Sequence, residues 1–232
     1  MINTIPVFIG YDHRERAATN VLIDSIYQLS SIPVSFTPIV TKQLEASGFH
    51  SRKRDSKQST SFSFTRFLVP YLMGYEGWAI FMDCDVLCRD DIKKLWELKD
   101  DKYAILCVKH NHKPTEGTKF LGEKQSAYPK KNWSSVMLMN CSRCKALTPD
   151  YVNSASGLDL HRFNWLNSED LVGEIDESWN YLVEVQSKEK SIKAKLLHWT
   201  LGGPWFSDQR IKNDPLSEEW LAARENAFKL WN

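Results

Sequence analysis

Two carboxylates one residue apart, Asp83 and Asp85, close an apolar run that begins Trp78-Ala79-Ile80-Phe81-Met82. Like charges this close repel unless something positive holds them. A divalent cation that prefers oxygen ligands, Mg²⁺ or Mn²⁺, is the natural partner. An Asp-x-Asp pair by itself is a weak signal, since solvated loops and helix caps carry such pairs too. Its surroundings give it weight. The run is short and apolar and follows Gly74 and Gly77, so it reads as a buried strand. A charge inside such a strand would lose its hydration, which places both carboxylates where the strand ends. In an open α/β sheet that place is the crevice outside the strand carboxyl ends, where ligands bind. A helical pattern at Ile92, Leu95, Trp96 and Leu98 follows Arg89-Asp90-Asp91.

Other residues have types that suit a site. Arg66 interrupts an apolar stretch, and a buried guanidinium either pairs with a carboxylate or points at a phosphate. His198 ends a late apolar segment and is followed by Gly202-Gly203, a pair that lets backbone approach a ligand closely. Tyr11 and Asp12 end the first apolar segment; Tyr11 suits stacking on a base, and Asp12 suits both a base contact and a helix cap. Glu169-Asp170 opens an apolar turn, where a helix N-terminus and a sugar or catalytic contact are equally good readings. The Cys141-Ser142-Arg143-Cys144 pair lacks a second pair to complete a zinc site, and the five cysteines read as buried, reduced thiols.

These residues need elements to carry them. Pro6 to Gly10 reads as a first strand, and Ala18, Leu22, Ile26 and Leu29 line one face of the helix after it. Val34 to Val40 reads as a second strand, so the sheet is expected to be mostly parallel. Further strands are expected at Tyr103 to Val108, Trp133 to Asn140 and Ser191 to Leu197. Phe62 to Met73 reads as a helix broken near Pro70, and Pro215 as the start of a closing helix capped by Asp214. Residues 42–61, 111–131 and 150–159 read as loops. The expected architecture is α/β: one Rossmann-like domain over residues 1–232, with a mostly parallel central sheet flanked by helices. No glycine-rich phosphate fingerprint follows the first strand, so a nucleotide would be held by side chains and a metal. With 30 basic and 29 acidic residues the net charge is +1, which argues against a nucleic-acid partner. No apolar run is long enough to span a bilayer and no signal peptide is evident, so a cytoplasmic location is expected.

Taken together, Gly10-Tyr11-Asp12, Phe64-Thr65-Arg66-Phe67-Leu68-Val69-Pro70, Asp83-Cys84-Asp85 and His198-Trp199-Thr200-Leu201-Gly202-Gly203-Pro204-Trp205 resemble GT-A fold glycosyltransferases. The resemblance is to the small family 8-like retaining enzymes, and it spans most of the chain. It implies transfer of a hexose, glucose or galactose, from a UDP-sugar to a glycan or other hydroxyl acceptor, with Mn²⁺ or Mg²⁺. Position by position, it implies that Asp83, Asp85 and His198 hold the metal. Tyr11, Asp12, Arg66, Cys84, Trp133, Ser134, Gly202 and Gly203 would then surround the donor. Glu169 and Asp170 match the region that holds the donor sugar and stabilises the reacting anomeric carbon. There are two departures. Trp133-Ser134-Ser135 stands where the family often has Asn-Ala-Gly or Asn-Ser-Gly, and Gly203-Pro204 stands where it has a lysine.

Two rivals fit parts of this pattern. A haloacid-dehalogenase-like phosphatase also places Asp-x-Asp after an apolar strand, but on the first strand and with a small hydroxyl residue where Leu87 stands here. A non-catalytic sugar-binding module would use the nine tryptophans as stacking platforms, but leaves the acidic pair and late histidine unexplained.

Overall fold

The computed structural model describes residues 4–54, 58–111, 117–118, 124–125, 130–207 and 214–229. The chain opens with β1 (Ile5–Gly10), a 3-10 turn (His13–Glu15) and helix α1 (Arg16–Leu29). Next come β2 (Val34–Ile39), α2 (Thr41–Ala46), a second 3-10 turn (Thr65–Leu68) running into α3 (Val69–Leu72), and β3 (Trp78–Met82). Then follow β4 (Val86–Cys88), α4 (Ile92–Trp96), β5 (Ile105–Cys107), the short pair β6 (Gly117–Thr118) and β7 (Lys124–Gln125), and β8 (Val136–Asn140). The last part carries α5 (Pro149–Ser154), α6 (Gly157–His161), β9 (Val172–Glu174), β10 (Tyr181–Leu182), α7 (Lys188–Ser191), β11 (Leu196–His198) and α8 (Pro215–Ala227).

Six strands form the central sheet in the order β2-β1-β3-β8-β5-β9. Every neighbouring pair is parallel except the two made by β8, which runs against both β3 and β5. Reversal of β8 brings its amino end to the edge where β1, β3, β5 and β9 have their carboxyl ends. Ser134 and Ser135 therefore stand beside Asp83, and the Asp83 amide donates to the Ser135 carbonyl at 2.8 Å. The central strands are buried on both faces, as their unbroken apolar runs require: all five residues of β8 and four of five in β3 are buried. A second sheet, β10-β11-β4, lies beyond the end of β3. A smaller apolar cluster covers it, with Leu87, Tyr181, Leu197, Trp199 and Trp220 packed against Ala18 and Val21 of α1. The mixed α/β architecture, with a mostly parallel sheet flanked by helices, is the one expected.

Local departures from expectation have identifiable causes. The strand over Trp78–Met82 ends at the acidic pair as expected, but the residues after the pair form a separate strand, β4, that joins the other sheet. Residues 42–61 are not simply a loop, because Thr41–Ala46 is helical and His50 and Gln58 are buried; residues 55–57 lie outside the described part. Phe62 to Met73 is two short helical pieces rather than one helix. Residues 150–159 are mostly helical, with Thr148 and Ser156 accepting from the Tyr151 and Asp159 amides as caps. Most of residues 111–131 lies outside the described part. The strand expected over Ser191 to Leu197 is confined to Leu196–His198, with Ser191 in α7. The closing helix starts at Pro215, with the Asp214 side chain accepting from the Leu216 amide.

Candidate active site at the strand ends

Asp83 follows β3 and Asp85 precedes β4, so the turn between two sheets carries both carboxylates. The antiparallel register of β11 on β4 sets His198 opposite Val86, and the Trp199 amide donates to the Asp85 carbonyl at 2.9 Å. One ligand atom from each of Asp83, Asp85 and His198 lies within 4.8 Å of the other two. Among the described residues this is the one such grouping of His, Cys, Asp and Glu.

The imidazole is held in a defined tautomer. Asn180 Nδ2 donates to Ser135 Oγ at 2.9 Å, which turns Asn180 Oδ1 toward His198 Nδ1, also at 2.9 Å. A carbonyl oxygen only accepts, so Nδ1 carries a proton toward Asn180 and Nε2 is the ring atom left to face the acidic pair. It lies 3.2 Å from Asp85 Oδ1. An imidazole nitrogen and two carboxylates converging in this way are a donor set that fits a cation between the three side chains. Two carboxylates suit Mg²⁺ and Mn²⁺ alike, and the imidazole tilts the set toward the transition metal.

Arg66 supplies fixed positive charge beside the turn. Its Nη1 lies 2.9 Å from Asp83 Oδ1 and donates to the Ser134 carbonyl at 2.9 Å. The guanidinium sits between the rings of Phe62 and Phe81, 5.2 and 5.1 Å from their centroids. It thus takes the carboxylate-pairing role. Burial makes such a pair costly to break, because either partner left alone would be an uncompensated charge.

The remaining expected residues divide. Ser134 is buried, with its Oγ 2.8 Å from His161 Nδ1. Trp133 donates from its indole to the His110 carbonyl at 3.0 Å. Gly202 and Gly203 are buried after β11, and Gly202 has φ +99°, a conformation that suits glycine. Tyr11 is partly buried at the end of β1, where its amide donates to the Ile39 carbonyl at 3.4 Å. Asp12 is fully buried and its carboxylate is committed within the protein, accepting from the backbone and guanidinium of Arg14 and from the amide and hydroxyl of Ser61. Burial alone would raise this carboxyl, but those hydrogen bonds and the Arg14 charge outweigh it and hold it well below the usual carboxylate range. Glu169 and Asp170 open β9 at its amino end, on the surface. Glu169 pairs with Lys130 at 2.6 Å and Asp170 accepts from Ser168 Oγ at 3.2 Å. Among the described residues no contact joins either to the Asp83–Asp85–His198 group.

Sequence reasoning passed over two residues that matter here. Asn180, which orients His198, lies in a 3-10 turn with no motif to mark it. Glu15 is 1% exposed, and its carboxylate accepts from Cys84 Sγ at 3.4 Å and from Trp205 Nε1 at 3.3 Å. Burial, then the charges of Asp85 and Asp12, push the Glu15 carboxyl up to about 8. All five cysteines are buried and free, and burial raises their thiols, as structural cysteines require.

The sequence model of glycosyl transferase family 8 matches residues 16–209. The chain belongs to that family. It is therefore a glycosyltransferase, which sets aside the phosphatase reading. A plant relative, Protein CDI of Arabidopsis thaliana, is 46% identical over 228 residues, covering 96% of this chain and 87% of its own length. Solved family 8-like structures carry the same GT-A fold. The galactosyltransferase LgtC, in complex with donor and acceptor sugar analogues, superposes with a TM-score of 0.59 at 10% identity, over 98% of both chains. GlyE from Streptococcus pneumoniae matches at a TM-score of 0.61 and 13% identity, over 99% of this chain and 61% of that one. The bifunctional WbbM matches at 0.61 and 14%, and this chain spans about half its length (52%). At these identities the likeness is one of fold. Among the described residues no helix is long and apolar enough to cross a membrane.

Proposed function

We propose that this glycosyltransferase is a metal-dependent, retaining hexosyltransferase that uses a UDP-sugar, glucose or galactose, and a glycan or other hydroxyl acceptor. The observation that carries the reading is the convergence of Asp83, Asp85 and a tautomer-fixed His198 at the strand ends. Mn²⁺, or Mg²⁺ in its place, bound there would neutralise the diphosphate as it leaves the sugar. The chain's own residues prepare that place. Asn180 keeps His198 Nε2 aimed at the group, and Arg66 holds Asp83 in position and adds fixed positive charge. Gly202 and Gly203 are assigned to bring backbone close to the diphosphate, the space a Gly203 side chain would take being filled by the Trp205 ring. Tyr11 is assigned to the base, whereas Asp12 serves to shape the end of β1 and the Ser59–Ser61 segment around it. Ser134 and Trp133 are assigned to the donor sugar, with the indole face as a platform. Retention is assigned to attack from the face of departure, with Asp170 or Glu169 stabilising positive character at the anomeric carbon. Their surface placement makes this last assignment easy to test: Asp170→Asn and Glu169→Gln that both keep full transfer remove it.

The reading is tested by titrating UDP-glucose and UDP-galactose into the protein, each with and without Mn²⁺, while following heat of binding and UDP release. Metal-dependent binding of one sugar with slow UDP release is expected. Binding of other nucleotide sugars but neither of these would change the donor. Binding of none would overturn the reading.

A further inference from the structure

The loop after β11 is tied to the Asp83-Cys84-Asp85 turn at two points. Near its start the Trp199 amide donates to the Asp85 carbonyl, at 2.9 Å. Near its far end Trp205 Nε1 donates to Glu15 Oε1 at 3.3 Å, while the other Glu15 oxygen accepts from Cys84 Sγ at 3.4 Å. Gly202 and Gly203 lie between these anchors. The Trp205 ring covers Gly203 so closely that a Cβ there would stand 2.3 Å from it. The ring also packs on Trp220, with centroids 5.2 Å apart. A carboxyl group this buried, with or without its proton, is costly to keep unless its hydrogen bonds are satisfied, and here they bridge two elements as an apolar side chain cannot.

We propose that Glu15 is a positioning residue, a strut that fixes the Gly202–Gly203 backbone against the Asp-Cys-Asp turn and so sets where the donor diphosphate rests. Its link to the diphosphate rests on the transferase reading; its effect on the loop does not. The geometry makes a specific demand on substitutions. Trp205 Nε1 can only donate, whereas the Cys84 thiol can donate or accept. Glutamine at position 15 can therefore turn its carbonyl oxygen to Trp205 and its amide to Cys84, keeping both contacts. Alanine keeps neither.

Two measurements on the full chain separate the parts. Backbone hydrogen exchange at Gly202 and Gly203 is expected to speed at least about tenfold in Glu15→Ala and Trp205→Phe and to stay near wild type in Glu15→Gln. Calorimetry with UDP in the presence of Mn²⁺ is expected to show a similar loss, about tenfold, in the same two variants. The Glu15→Ala/Trp205→Phe double variant should be no weaker than the worse single variant, because one contact cannot be lost twice. Mn²⁺ alone should bind all of them alike, which also shows that the variants are folded. Unchanged exchange in Glu15→Ala, or additive losses in the double variant, would overturn the strut. If the wild-type protein binds no UDP with Mn²⁺ while exchange still follows the strut, the transferase reading fails along with the diphosphate part of this proposal, and the loop-positioning part stands.

Discussion

At the residue scale the site is a set of side chains whose roles are fixed by what each can donate or accept. Asn180 acts on the metal group only through His198, so removing it should weaken metal binding without abolishing it. Asn180→Ala is expected to cost roughly 10–100-fold in Mn²⁺ affinity by calorimetry, while Asp85→Ala and His198→Ala should leave no measurable metal-dependent donor binding. An Asn180→Ala protein that binds Mn²⁺ like wild type would remove Asn180 from the site's support. Glu15 gives a prediction about stability. Its carboxyl is raised by burial first and by Asp85 and Asp12 next, to about 8. Between the ordinary carboxylate range and about pH 8 the folded chain keeps a proton that the unfolded chain has released. Folding is then favoured most at the low end of that window and loses this contribution as pH rises through about 8. Urea unfolding at pH 5, 7 and 9, without divalent cations, should therefore show a smaller decline in Glu15→Gln than in wild type. Parallel profiles would show that Glu15 does not hold its proton in the fold.

At the scale of elements, strand ends decide which residues can meet. Gly10, the last residue of β1, has no side chain because the Phe62 ring occupies the space: a Cβ there would stand 2.2 Å from Cδ2 of that ring. Phe62 in turn flanks the Arg66 guanidinium. Gly10→Ala should cost about 1–3 kcal/mol by denaturant unfolding and should disturb the Arg66–Asp83 pair as well. Ordinary stability in Gly10→Ala would mean that the ring moves aside freely. Legibility in the sequence follows the same logic. β3 and its acidic end were readable because a strand buried on both faces is written as a continuous apolar run, and α8 because Asp214-Pro215 is a local start signal. β9 and β10 were not readable: strands of three and two residues show no periodicity, and β9 pairs with β5, far away in sequence. α5 and α6 are short enough that their caps, rather than an apolar stripe, define them. The placing of Asn180 against His198 depends on β10 pairing with β11, a register that no local pattern encodes. Asp83, Asp85 and His198 were legible as types at strand ends, whereas Glu15 stands among the charges of Asp12-His13-Arg14-Glu15-Arg16 with nothing local to mark it.

At the scale of the whole molecule, His198 belongs to the smaller sheet, which is held by its own apolar cluster and by the closing helix. α8 packs on α1 through this cluster, where Trp220 is 1% exposed. Arg89, just after β4, pairs with Glu219 of α8 and donates to the Ser191 carbonyl at 2.6 Å, so the helix is also tied by charge to the strand beside His198. Metal geometry at the turn therefore depends on packing some distance from it. Trp220→Ala removes a buried indole from this cluster and is expected to cost about 3–5 kcal/mol. For a chain of this size that corresponds to a melting temperature lower by roughly 6–20 °C. Because a cation that binds only the folded state restores stability by mass action, Mn²⁺ should raise the melting temperature of the variant. It should raise it by less than in wild type, since part of the binding free energy would go into re-forming the β4–β11 register. An equal Mn²⁺ shift in both proteins would mean that the turn keeps its shape without α8. A loss of only a degree or two would mean that the closing helix contributes little to the sheet that presents His198.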